Sequence, residues 1–273
     1  MRKKCLIFTI FLATFFGGVS QFTFPVCGAR SSALGGNTVA LSDFWSAMDN
    51  VAGLTNISSF DIGVAFSNNF ALAELSSKTV AIASPLSKTN AIGLKYTHIG
   101  SSLYFEQKIA LEFAQMIGQK ISLGIELDYL NCGTSDVFYD EYHLFTFATA
   151  IRLYPSKNLV IGFYVFNPTS IAANNDYSQY VPAIMKLGTE YQITPDFAAY
   201  MEIEKNMLAK ECVKTGVEYR FFKHFYARVG FASNPMIYSF GIGVEHNEWF
   251  FDFSSQVHTA LGISPSISMH HSF

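Results

Sequence analysis

The sequence is poor in charge, and that shortage excludes more than any motif it contains. Charged residues make up 14% of the 273 residues, against about 25% in soluble domains. The formal net charge is -3, so there is neither a basic field to attract nucleic acid nor an acidic block of the kind found in solvated tails. Cysteine is scarce as well: Cys5, Cys27, Cys132 and Cys212 form no C-x-x-C pair and no metal-ligand spacing, which leaves room for at most one disulfide among the last three. Beyond the first twenty residues no apolar run approaches the ~18 residues that a membrane-crossing helix needs. A helical membrane protein is thereby excluded.

Aromatic residues are abundant, at 16% with 27 Phe and 14 Tyr. Arg2, Lys3 and Lys4 followed by an apolar stretch from Cys5 to Phe16 read as a secretory signal over residues 1–20, with small residues at Gly18-Val19-Ser20. The alternative, a lipidated Cys27, lacks the small residues expected at Phe24-Pro25-Val26. From Ile57 onward the chain breaks into about fourteen segments, many of which alternate apolar and polar residues. Between Lys120 and Tyr129, Ile121, Leu123, Ile125, Leu127 and Tyr129 share one side, while Ser122, Gly124, Glu126 and Asp128 share the other. Val213 to Phe221, Tyr238 to Glu245 and the closing stretch Ile263 to Phe273 repeat the pattern.

Tight connections at Ser87-Lys88-Thr89, Ile117-Gly118-Gln119, Thr194-Pro195-Asp196 and His246-Asn247-Glu248 take turns with generally longer ones such as Asn68 to Ser76 and Asn167 to Val181. That is the pattern of an antiparallel transmembrane β-barrel of about fourteen strands over residues 57–273, spanning a bacterial outer membrane with both chain ends in the periplasm. Outer-membrane lipid is then its first partner.

Residues 21–56 differ in composition. Leu41, Phe44, Trp45, Met48 and Ala52 would share one face of a short helix capped by Ser42 or Asp43, and inside a barrel such a helix acts as a lumen plug. Phe44, Trp45, Met48, Asn50, Gly53 and Leu54 are its candidate plug or ligand-binding residues. Candidate lumen charges are Glu126, Asp128, Arg152, Glu190, Glu202, Lys214, Glu218, Arg220, Arg228 and Glu245, together with Lys95, Glu204 and Asp252. Mixed signs at this spacing make either a selectivity lining or a paired network that satisfies a polar interior.

No catalytic residue, metal site or cofactor is expected. Gly35-Gly36-Asn37 fits no phosphate-loop spacing and reads as a turn, and His270-His271-Ser272 falls in the closing strand.

The A-R-x-x-A-L-G-G pattern at Ala29 to Gly36, with Asn50 to Leu54 after it, resembles the start of the long-chain fatty-acid transporter (FadL-like) superfamily of outer-membrane barrels. Within that superfamily it is most similar to the PorV and PorQ barrels associated with type IX protein secretion. Val51 stands where the family pattern has proline. The resemblance implies a non-enzymatic accessory of protein export or outer-membrane assembly, with other outer-membrane or periplasmic proteins as partners. The alternative is passive transport of a small hydrophobic ligand such as a fatty acid, and a third possibility is a purely structural barrel.

Overall fold

In a computed structural model, residues 24–134, 141–170 and 181–273 are described. The expected signal at residues 1–20 lies outside them. Fourteen antiparallel strands close into one barrel: β1 (Asp61–Asn68), β2 (Ser76–Pro85), β3 (Asn90–Gly100), β4 (Tyr104–Ile117), β5 (Ile121–Thr134), β6 (Tyr142–Ser156), β7 (Leu159–Phe166), β8 (Ile184–Thr194), β9 (Phe197–Asn206), β10 (Cys212–Phe222), β11 (Phe225–Ala232), β12 (Ile237–His246), β13 (Trp249–His258) and β14 (Gly262–Ser272). Each strand pairs with its sequence neighbours, and β14 returns to β1, Asp61 opposite Ser272 and Ser67 opposite Ser266. Closure leaves no strand edge unpaired.

The barrel is inside-out relative to a soluble sandwich. On β5, Ile121, Leu123, Ile125 and Leu127 are exposed, whereas Ser122, Glu126 and Asp128 are at most 1% exposed. Side chains alternate across a strand, so the same twofold period that greases the outside makes the lumen polar. An outer wall of this kind is stable only against lipid.

The strand ends define a turn end, where connections run to four residues at most, and a loop end. At the loop end the links across 101–103, 233–236 and 259–261 are also short, so the long-loop pattern is confined to part of the rim. Strands β1, β7 and β11 have eight residues each, which at barrel tilt rise only about 20 Å, less than the ~25 Å apolar band. Exposed Met236, on the link that follows β11, extends the greasy surface there. At the turn end, Trp249 stacks on His271 at 4.5 Å and Phe60 meets Phe273 at 5.7 Å, an aromatic girdle that accommodates the half-exposed His271.

Residues 24–57 fill the lumen, but not as the single helix expected between Ser42 and Leu54. The structure has α1 (Ala29–Ala33), α2 (Phe44–Ala47) and a 3-10 segment (Val51–Asn56). Asp43 caps α2: its carboxylate accepts from the Ser46 N–H at 2.7 Å while Ser46 Oγ accepts from the Asp43 N–H at 2.9 Å. Asn50 ends the run by accepting from the Ala52 N–H and donating to the Val39 carbonyl. A segment enclosed by barrel wall on every side has no single face to bury. Leu41, Phe44, Trp45, Met48 and Ala52 are accordingly all buried although no helix aligns them.

Candidate functional site

The lumen charges hold the plug by its backbone. Glu202 accepts from the N–H groups of Thr38 and Val39 at 2.7 and 3.0 Å. Lys214 donates to the Gly36 carbonyl at 3.0 Å, Arg152 to the Ala40 carbonyl at 2.7 Å, and Lys95 to the Met48 carbonyl. A short irregular segment leaves many peptide groups without partners. The barrel wall supplies them.

The charges are also paired among themselves in three groups. Lys108 bridges Glu126 at 2.7 Å and Asp128 at 2.9 Å, with Lys95 beside Glu112 and Glu126. Lys214 bridges Glu202 and Glu204 at 2.9 and 2.7 Å. Arg30, from the plug, meets Glu218 at 2.7 Å and Asp43 at 3.3 Å, and Arg228 continues the chain from Glu218 to Asp252. Most of the buried lumen charges are thus held in ion pairs. Glu190, which accepts from Ser42 Oγ, and Arg220 and Glu245 lie toward the turn-end mouth instead of deep in this network.

Burial acts alike on two plug carboxyl groups, but their neighbours shift them in opposite directions. Burial pushes the Asp49 carboxyl above the usual carboxylate range, and the lysines Lys95 and Lys186 only partly offset it. For Asp43 burial acts the same way, but Arg30 and the Ser46 hydrogen bonds prevail and hold it low. Burial likewise raises the Cys27 thiol, so Cys27 is an inert packing residue.

Phe44, Trp45, Met48, Asn50 and Leu54 are at most 3% exposed. Trp45, Met48, Asn50 and Leu54 fill space, Phe44 alone of these borders the turn-end vestibule, and no greasy pocket surrounds Phe44, Trp45 and Met48 among the described residues. Gly53 lies under the Arg152 guanidinium, where an added Cβ would stand 2.6 Å from Nη1. Sequence reasoning missed Lys108 and Glu112 on β4, although the alternation Lys108, Ala110, Glu112, Ala114 against Ile109, Leu111, Phe113 carries the signal. It also missed the inward glycines that seat the plug. A Cβ on Gly124 would stand 2.5 Å from the Ala52 nitrogen, and one on Gly216 2.8 Å from the Leu34 carbonyl.

A packed apolar cluster lies on one side of the plug and an open space on the other. Toward the loop end, Leu130, Cys132, Leu144, Tyr164, Phe166 and Val181 join a buried apolar cluster against which Phe24 packs, and Lys108 Nζ lies 4.8 Å from the Phe166 ring centre. The first described residue thus sits inside the lumen, not at the turn-end rim. At the turn end, a vestibule of about 690 Å³ opens beneath the plug, bounded by Arg30, Asp43 and Phe44 above and by the mouths of β1 and β8 to β14 around it.

No family model matches the sequence, and no curated protein does. Solved structures do match. The CymD monoaromatic hydrocarbon channel aligns at TM-score 0.72 and 14% identity over 92% of this chain and 99% of that one. The toluene transporter TodX of Pseudomonas putida aligns at 0.69 and 12% over 93% and 100%, and a FadL homologue of Pseudomonas aeruginosa at 0.68 and 10% over 92% and 99%. This chain has their fold.

Proposed function

We propose that the protein is a non-enzymatic outer-membrane channel for small hydrophobic molecules. The observation that carries this reading is a closed fourteen-strand barrel whose polar lumen is stoppered by its own N-terminal segment, with a buried apolar cluster between that segment and the loop end. Proteins of the same fold are described as a monoaromatic hydrocarbon channel and a toluene transporter, which favours transport over the export-accessory role. None of the three structures named above is described as a secretion partner.

The physics suits that assignment. An apolar solute leaving water for a place among Leu130, Leu144 and Phe166, which are packed together at the loop end, gains roughly 25 cal/mol per Å² of buried surface, whereas a sugar or ion gains nothing there. Phe24 packs against that cluster, so an incoming ring takes the place of a ring of the protein's own. The plug meanwhile denies water and hydrophilic solutes a continuous path. The lumen glycines let its backbone seat directly against the wall.

The test is uptake of a labelled monoaromatic hydrocarbon by cells whose outer membrane carries the barrel, compared with a sugar of equal size. Faster entry of the hydrocarbon alone is expected. Equal entry of the sugar would make the protein an open pore, and no entry of either would end the transport reading.

A further inference from the structure

The turn-end vestibule has an electrostatic character that hydrophobic transport does not require. Seven carboxylates and three arginines line it. Four of the carboxylates are held by those arginines: Asp43 by Arg30, Glu218 by Arg30 and Arg228, Asp252 by Arg228, and Asp196 by Arg220. Asp61, Glu245 and Glu248 have no basic side chain at ion-pair distance among the described residues. Asp61 accepts from Ser59 Oγ and Glu245 from the Tyr226 hydroxyl, both at 3.0 Å. Each bond stabilises the ionised form and leaves acceptor capacity toward the cavity.

These acids flank an aromatic stack. His270 lies 4.3 Å from Phe250 at an interplanar angle of 5°, and 5.1 Å from Phe44 at 28°. Across neighbouring strands Asp61 pairs with Ser272, His270 with Phe250, and Phe250 with Glu245. Asp61 lies two residues nearer the turn end than the row of Gly63, His270, Phe250 and Glu245, so the stack on β13 and β14 sits between a carboxylate on β1 and another on β12, roughly 16 Å apart at ~4.8 Å per strand and ~3.3 Å per residue. His270 is 5% exposed and its Nδ1 has no hydrogen-bond partner, a buried polar atom of the kind that structures normally satisfy.

We propose that this vestibule is a binding site for a small hydrophobic amine, taken as its ammonium ion. The ring of such a ligand extends the Phe44, His270 and Phe250 stack, and its ammonium reaches Glu245 or Asp61. Aromatic faces attract cations as well as rings, so both halves of the ligand are recognised. A carboxylic acid of the same shape meets an excess of like charge. The cup is closed above by the plug, and about 690 Å³ suits a single small molecule, which argues against a basic polypeptide. Equilibrium binding here does not depend on whether anything crosses the barrel.

The experiment is calorimetric titration of the full-length barrel in non-ionic detergent at low salt with 2-phenylethylamine, 2-phenylethanol, 3-phenylpropanoate and tetralysine, and with empty micelles as blank. The amine is expected to bind at least tenfold more tightly than the alcohol or the acid. Glu245→Gln with Asp61→Asn is expected to remove at least tenfold of that affinity while the alcohol changes less than twofold. Should that pair fail to fold, Glu248→Gln with raised salt serves instead, weakening the amine and sparing the alcohol. Equal binding of amine and acid, an amine affinity unmoved by either variant and salt, heat accounted for by micelles alone, or tetralysine binding more tightly than the amine would each overturn the proposal.

Discussion

Arg30 is the plug's own contribution to the lumen network, joined to Glu218 on the wall and to Asp43 beside α2. Glu218 in turn is shared with Arg228. Removing one partner of a buried pair strands the others, at about 3–5 kcal/mol, so Glu218→Ala is expected to loosen the plug rather than merely weaken it. Faster hydrogen exchange across Ala29 to Ala33, with barrel strands unchanged, is the outcome to look for. Asp49 behaves oppositely. Its carboxyl is raised above the ordinary 3.8, so its ionised form opposes seating at neutral pH, and plug protection should grow as pH falls toward that value. Asp43 is depressed below 3.8; its contribution is complete above the unfolded value and is lost as pH drops through the lower folded one. Plug exchange, corrected for its intrinsic rate, should thus slow and then quicken on acidification. Asp49→Asn keeps an acceptor for the Cys27 N–H and should abolish the first phase.

At the scale of the element, the strands were legible because a membrane barrel writes its two environments into every second residue. The stretch from Ile121 to Asp128 states lipid and lumen in turn, and the structure places each residue accordingly. The plug was legible as a segment but not as a shape. Its helix stops after Ala47 because Asn50 turns the chain with its side chain and Lys95 and Arg152 take up carbonyls on either side, partners that lie tens of residues away and leave no local trace. Asp43 at the start was readable as a cap, and Asp43→Ala is expected to cost about 1 kcal/mol of local stability from the cap alone, seen as increased protease cleavage between residues 43 and 54. Gly124 and Gly216 look like ordinary lumen positions in sequence, since nothing local announces that the plug backbone passes over them. Gly124→Val, on the face that touches Ala52, is expected to lift the 3-10 segment and raise conductance to small hydrophilic solutes in planar bilayers, while the barrel itself still forms.

As a whole molecule the protein is two structures with one closure. Every strand has two partners, so the barrel should resist detergent at moderate temperature and change its gel mobility only on boiling, whereas the plug depends on some half-dozen charged wall residues and should move first. That division is what a stoppered channel requires: a wall that keeps its shape and an interior segment that can yield. The most direct measurement is hydrocarbon uptake with the plug tethered, using Ala29→Cys and Ser268→Cys, whose parent residues meet through the Ala29 N–H and Ser268 Oγ at 2.9 Å, in a chain with its native cysteines replaced by alanine. Oxidation to the disulfide should stop uptake of the labelled monoaromatic hydrocarbon, and reduction should restore it. Uptake that continues unchanged with the tether closed would contradict the account.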